Sequence, residues 1–323
     1  MKKYVLSIII PTHNRQGKII FIVKKLLEQS TNKHNIEIII SGDKKKYLNL
    51  KLFKSLKKKN ISIKYLYSRI NSNALKRNKA IKLSKGKYII LIDDDCLPAK
   101  NFLNSYLNLF KSLDGKTVIC GSVKYKYHNF KNKFIRYRQS RHFVISSKKM
   151  NFKKSLTASK IVTMNMGVVK TPNLFKTGLF DERFGQYGFE DYEFGFRLIN
   201  NGFKLKACNP TIYHMDNRNF KSYLNKIYYL SRISVNQLKL INNKLWSQIS
   251  YSKIDSNILI KFFSKYRTFY FLLCFIENIV VYIEKKSILY LPILYKFGIF
   301  LSYCKGYCDR NLKKKIKINK WYE

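Results

Sequence analysis

The 323-residue sequence predicts an α/β fold, a mostly parallel twisted sheet flanked by helices, followed by an α-helical C-terminal extension. Three observations carry that prediction. Apolar runs of strand length alternate with amphipathic stretches through the N-terminal third, the pattern of βαβ units with right-handed crossovers. These runs stop at residues suited to strand ends: Pro11, the Gly42-Asp43 pair and the triplet Asp93-Asp94-Asp95. Beyond about residue 219, Gly and Pro nearly vanish and Tyr, Phe, Ile, Leu and Lys take over, which predicts several helices.

The elements follow in order. YVLSIIIPTHNR is a short strand stopped by Pro11, and IIFIVKKLLEQS has the spacing of an amphipathic helix. IEIIISGD is the next strand, closed by a Gly-Asp turn. LFKSLKKKN reads as a helix, ISIKYLYSR as a strand, and NALKRNKAIKLSKG as a helix ended by Gly86. KYIILIDDD is the fourth strand. In such sheets ligands gather at the carboxyl ends of strands, where Pro11 to Arg15, Asp43 and Asp93 to Asp95 all fall. Past about residue 115 come a strand TVICGSVKYKY, a basic stretch to about 160 and an apolar piece IVTMNMGVVK. A glycine-bearing loop, a helix from about 189 and a last strand ending at His214 complete this half, which is expected to cover the open edge of the sheet.

Two regions result, residues 1–218 and a helical, aromatic and basic region 219–323. In the second, FYFLLCFIENIVVYI and ILYLPILYKFGIFLSY are strongly apolar. Each falls short of the roughly 20 residues needed to span a bilayer, and Glu277 and Lys296 interrupt them. They read as buried helices, or as helices lying in a membrane interface with aromatic residues on one side and lysines on the other; a true span fits them less well.

The formal charge of +46 raises nucleic acid as a partner, since Lys and Arg release counterions from a phosphate backbone. The lysines are scattered through every segment, however, and the abundance of Lys, Asn and Ile with few Ala, Gly and Pro is what a biased genomic base composition produces. A basic surface still suits an anionic lipid leaflet or a phosphorylated ligand. Six cysteines at 96, 120, 208, 274, 304 and 308 form no CxxC pair, and no secretory leader precedes the first strand, so a reducing cytoplasm is expected.

With 64 basic residues against 18 acidic ones, three consecutive aspartates stand out. Adjacent carboxylates repel one another, so the cluster calls for a cation. A solvated acidic turn is the plain alternative.

The order SIIIPTHNR, a strand ending in Asp43, ALKRNKAI, LIDDDCLP, LFDERF, GFEDYEFGFRL and a histidine after the last strand resembles the inverting glycosyltransferases of family 2, over residues 4 to about 218. The second half is also similar to the galactosyltransferase-type region of chondroitin-polymerase-like enzymes. This resemblance implies a GT-A fold, a Rossmann-like sheet that binds a nucleotide sugar. It implies that a divalent cation, Mn²⁺ or Mg²⁺, is held by Asp95 and His214, and that Asp93 faces the ribose and uracil, with Asp94 beside it. It makes Asp191 the base that takes the proton from the acceptor hydroxyl, with Glu190 holding an acceptor hydroxyl. Both acids also suit a helix start, where they complement the dipole.

Donor binding is expected at Pro11, Thr12 and Arg15, and at Asp43, although SGDKKK departs from the usual Asp-Asp-Gly-Ser. Arg77 and Asn78 match the family's ARN at a helix start, with Lys76 in place of Ala, and a guanidinium there suits a diphosphate. Asn165 and Asp181 are expected at sugar hydroxyls, Asp181 being equally suited to bracing its loop. His13, His34, His128 and His142 receive no role. The function implied is metal-dependent transfer of Gal, GalNAc or GlcNAc from a UDP-sugar to a surface polysaccharide or lipid-linked glycan, in the cytoplasm at the inner face of the membrane, with an anionic membrane surface as partner and no specific nucleic acid. The competing readings are a basic nucleic-acid-binding protein and a degenerate transferase domain acting as an assembly partner.

Overall fold

The computed structural model describes residues 4–30, 33–44, 58–126, 132–142, 154–185 and 187–312. The chain divides into two compact units: residues 1–128, 139–185 and 190–216 form the first, and 129–138, 186–189 and 217–323 the second.

Among the described residues the first unit contains one nine-stranded sheet. β1 (Leu6–Thr12), β2 (Ile36–Gly42), β3 (Ile61–Tyr67) and β4 (Tyr88–Ile92) are parallel, in the order β3-β2-β1-β4. The expected helix at 52–60 lies largely outside the described residues. β5 (Cys96–Pro98), β6 (Thr117–Tyr125), β7 (Lys154–Ser155), β8 (Asn165–Val169) and β9 (Lys204–His214) continue the sheet. β8 runs antiparallel to both β4 and β6, while β6 and β9 are parallel. The second half was expected to cover the sheet edge; instead its strands extend the sheet itself, and antiparallel pairing enters there.

Alternation along the strands sends side chains to opposite faces, and two cores result. On one face Leu6, Ile8 and Ile10 of β1 pack with Ile19, Ile22, Val23 and Leu26 of α1 (Gln16–Gln29) and with Phe102, Leu103, Tyr106 and Phe110 of α3 (Phe102–Phe110). On the other, Ile9, Ile39 and Leu91 meet Ala80 and Ile81 of α2 (Asn73–Leu83) and Phe194 and Leu198 of α6 (Glu190–Asn200). Two shorter helices lie between in sequence, α4 (Lys133–Ser140) and α5 (Pro172–Lys176). Caps fix two helix starts: Ser72 accepts from Leu75 N ahead of α2, and Thr171 from Leu174 N ahead of α5.

The second unit is helical: α7 (Phe220–Tyr229), a π-helical turn at Leu230–Ser234, α8 (Val235–Ile241), α9 (Asn243–Gln248), α10 (Ser250–Asp255), α11 (Ile258–Phe263), α12 (Arg267–Lys286) and α13 (Pro292–Asn311). Phe134, Phe220, Leu224, Leu273, Val280, Tyr295, Leu301 and Cys304 form its core. Gly306 lets α13 approach α7: a Cβ there would meet the Tyr228 carbonyl oxygen at 2.2 Å. Among the described residues no helix is long and apolar enough to cross a membrane. All six cysteines are free thiols.

Candidate active site

The acid triplet is held from both sides. β4 delivers Asp93 at its carboxyl end, and the three-residue strand β5 pairs antiparallel with β9 so that Cys96 lies opposite His214. Met215 N donates to the Asp95 carbonyl oxygen at 2.8 Å, closing the register. Residues 119 positions apart in sequence thereby meet: His214 Nε2 stands 3.3 Å from Asp95 Oδ1. Arg15 Nη1 bridges Asp95 Oδ2 at 2.7 Å and Asp94 Oδ1 at 2.8 Å, and Thr12 Oγ1 donates to Asp94 Oδ2 at 2.8 Å. Pro11 and Thr12 end β1 beside Ser41 and Gly42.

Charge balance differs sharply between neighbours. Burial pushes both Asp94 and Asp95 up, but His214 and Arg15 outweigh it at Asp95 and hold that carboxyl well below the usual range. At Asp94 burial wins over Arg15, so the group is raised. Burial, with the aspartates, drives the Cys96 thiol well above its ordinary value.

Asp95, Cys96 and His214 each offer one ligand atom, all within 4.8 Å of one another. A protonated thiol is a poor ligand for a hard ion, so the donors suited to Mn²⁺ or Mg²⁺ are the ionised Asp95 carboxylate and the His214 imidazole. His214 Nδ1 is buried with no hydrogen-bond partner among the described residues, and the ring lies 5.2 Å from that of Tyr125. The donor set fits the cation that the sequence implied.

Arg77 is the second centre. Its side chain is only 2% exposed, and it faces three carboxylates: Nη2 donates to Asp93 Oδ1 at 2.9 Å, and Nη1 lies 3.4 Å from both Glu190 Oε1 and Asp191 Oδ1. The guanidinium expected at a diphosphate is thus engaged by acids, and it ties the end of β4 to the start of α6. Burial, then repulsion from Glu190, raises Asp191 to about 7 against the pull of Arg77. Glu190 and Asp191 do occupy the first turn of α6, yet the arginine between them and Asp93 gives them a partner beyond the helix dipole. The backbone enters α6 through Gly188 at φ +111° and Phe189 at φ +69°, a left-handed turn that is strained for a bulky residue.

Asp43 gathers a third group. Lys76 Nζ, wholly buried, donates to Asp43 at 3.1 Å and to the Thr12 carbonyl at 2.7 Å, and His13 Nδ1 lies 2.7 Å from Asp43. Burial would raise Asp43, but Lys76 and His13 leave it lowered. Neither His13 nor Lys76 was assigned a role from sequence. The available signal was position: His13 sits within the PTHNR loop, and Lys76 faces inward on α2.

Three residues expected at the ligand have partners within the protein. Asn165 is wholly buried, accepting from the Tyr106 hydroxyl at 2.7 Å and donating to the Ser122 and Pro210 carbonyls at 3.0 Å, so it locks β8 to β6 and β9. Asn78 exchanges hydrogen bonds with the Phe180 backbone and donates to Glu182 at 2.9 Å, with its side chain turned to the 180–182 loop. Asp181 forks onto Arg183, at 2.6 Å to Nη2, which is the loop-bracing arrangement. Of the remaining histidines, His142 lies 5.8 Å from Tyr125 by ring centroids, and His128 lies outside the described residues.

Residues 7–170, about half of the chain, match the profile of glycosyl transferase family 2. Chondroitin synthase of Escherichia coli is 25% identical over 245 residues, 65% of this chain and 34% of that protein. An uncharacterized glycosyltransferase of Rickettsia felis is 27% identical over 307 residues, 87% of this chain and 48% of its own length. The chain therefore spans between a third and a half of these relatives. Among solved structures, S. aureus TarS 1–349 in complex with UDP-GlcNAc has the same fold, with TM-score 0.52 and 14% identity over 95% of this chain and 90% of that one.

Proposed function

Because the chain belongs to glycosyl transferase family 2, we propose that it transfers a sugar of the Gal, GalNAc or GlcNAc type, with inversion, from a UDP-sugar to a surface polysaccharide or lipid-linked glycan. The observation that carries this reading is the pair of centres joined by one buried arginine: Asp95 and His214 on one side, Glu190 and Asp191 on the other, with Arg77 and Asp93 between. The UDP-GlcNAc complex of the TarS fold and the glycan synthases among the relatives favour the same substrate class.

Each residue then has work to do. Asp95 and His214 would hold the cation, which when bound would stabilise negative charge on the departing diphosphate. Asp43, set by Lys76 and His13, and Thr12 line the nucleotide end. Asp191 takes the proton of the acceptor hydroxyl as its oxygen bonds to the anomeric carbon and the bond from that carbon to the diphosphate oxygen breaks, releasing UDP. Displacement from the face opposite the leaving group inverts the anomeric centre. Glu190 orients the acceptor hydroxyl, and Arg77 keeps both acids aimed while balancing their charge.

The test is UDP release with a panel of UDP-sugars and glycan acceptors. Asp191→Asn is expected to lower turnover by about 10²–10⁴-fold, the usual worth of a general base, while donor binding survives. Wild-type turnover in that variant contradicts the assignment.

A further inference from the structure

We propose that the outward face of α11, α12 and the start of α13 docks on an anionic phospholipid surface. This goes beyond the catalytic reading and stands independently of it.

α12 is apolar on its outward side as well as toward the core, where Leu273 and Val280 are buried. Its one buried acid, Glu277, is turned inward, where Lys305 Nζ meets it at 2.7 Å and the Ser302 hydroxyl donates to it. Its outward stripe is Phe271, Leu272, Phe275, Ile279, Tyr282 and Ile283, with Phe275 64% and Tyr282 63% exposed. Further exposed apolar residues stand at Ile288 and Leu289 just after α12, at Phe297 on α13, and at Ile258, Leu259 and Phe262 on α11. Scattered exposed apolar residues are ordinary; a continuous outward stripe on a 20-residue helix marks a surface that something covers.

Charge identifies the occupant. Lys261, Lys265, Arg267, Lys285, Lys286 and Lys296, on the same helices or the turn between them, are all exposed. The acids of α12 and of the end of α10 have partners within the protein: Glu277 pairs with Lys305 at 2.7 Å, Glu284 accepts from the Tyr295 hydroxyl at 3.2 Å, and Asp255 pairs with Arg310 at 2.9 Å and accepts from Tyr303. A second copy of the same face would bring like charges together with no exposed acid to offset them. An anionic bilayer accepts both halves of the pattern, the apolar stripe at the acyl boundary and the lysines at the headgroups. Because no described helix is long and apolar enough to span, the face lies on the bilayer.

The test is flotation of the full chain with vesicles of phosphatidylcholine alone and of phosphatidylcholine mixed with phosphatidylglycerol. The wild type is expected to float with the anionic vesicles, to favour them at least about tenfold over neutral ones, and to be released by salt. Phe271→Ser/Phe275→Ser/Tyr282→Ser and, separately, Lys285→Gln/Lys286→Gln/Lys296→Gln should each cut partitioning at least about tenfold while leaving UDP release with a soluble acceptor unchanged. Equal partitioning into both vesicle types, salt-insensitive flotation, or unaltered flotation of the serine variant would overturn the proposal. So would a lipid-free dimer that the serine variant dissociates, since a second copy would then own the face.

Discussion

Burying a guanidinium costs several kcal/mol unless acids surround it, and Arg77 has three. At this scale the proposed base chemistry depends on how far Arg77 offsets the burial and Glu190 repulsion that raise Asp191 to about 7. A base must be ionised to accept a proton, so kcat/KM is expected to fall as pH drops through about 7. Removing the guanidinium in Arg77→Met takes away the largest influence that lowers Asp191, so the acid limb should move to higher pH. A pH profile of kcat/KM for both proteins checks this, and an acid limb unmoved in Arg77→Met contradicts it. Folding responds with the opposite sign. A carboxyl raised in the folded state favours the protonated form, so the stability it contributes is present at low pH and lost as pH rises through about 7.

Elements explain why those side chains meet. The triplet and Asp191 were readable from strand ends and from a helix start, but the strand that joins Asp95 to His214 was not. β5 is three residues long, contains Pro98, and carries no alternation to mark it. The protein partners of Asn78 and Asn165 were hidden for a related reason: a polar residue within a motif looks the same in sequence whether it faces a ligand or satisfies buried backbone. Glu37 shows the structural use of an acid in this fold. It is fully buried in β2 and accepts from Ser7 at 2.6 Å, from Lys64 at 3.0 Å and from the backbone N–H groups of Lys85 and Gly86. Burial would raise its pKa, yet those donors leave it lowered, so the stability it adds is present above about 4.5 and lost as pH falls below. Glu37→Gln is expected to cost about 2 kcal/mol at neutral pH in denaturant unfolding, with a smaller difference in acid. A loss that does not depend on pH would contradict the electrostatic account.

For the whole molecule, the N-terminal parallel order and the helical character beyond 219 were legible because both rest on periodicity and composition. The joining of β6, β8 and β9 into the same sheet was not, since their partners are set by long-range pairing. The outward direction of the apolar stripe on α12 was equally hidden: periodicity locates an apolar face without saying whether protein or something else covers it. The charge of +46 is spread along the chain, while Asp43, Asp93–Asp95 and Glu190–Asp191 lie at the proposed site. Such a site should recognise a nucleoside diphosphate only with its cation. The most direct measurement is the melting temperature of the wild type and of Asp95→Ala with UDP, in the presence of Mn²⁺ and in the presence of a chelator. UDP at about 100 times its Kd with Mn²⁺ should raise the wild-type melting temperature by roughly 5 °C and leave Asp95→Ala unmoved. An equal rise in chelator, or in Asp95→Ala, would contradict the account.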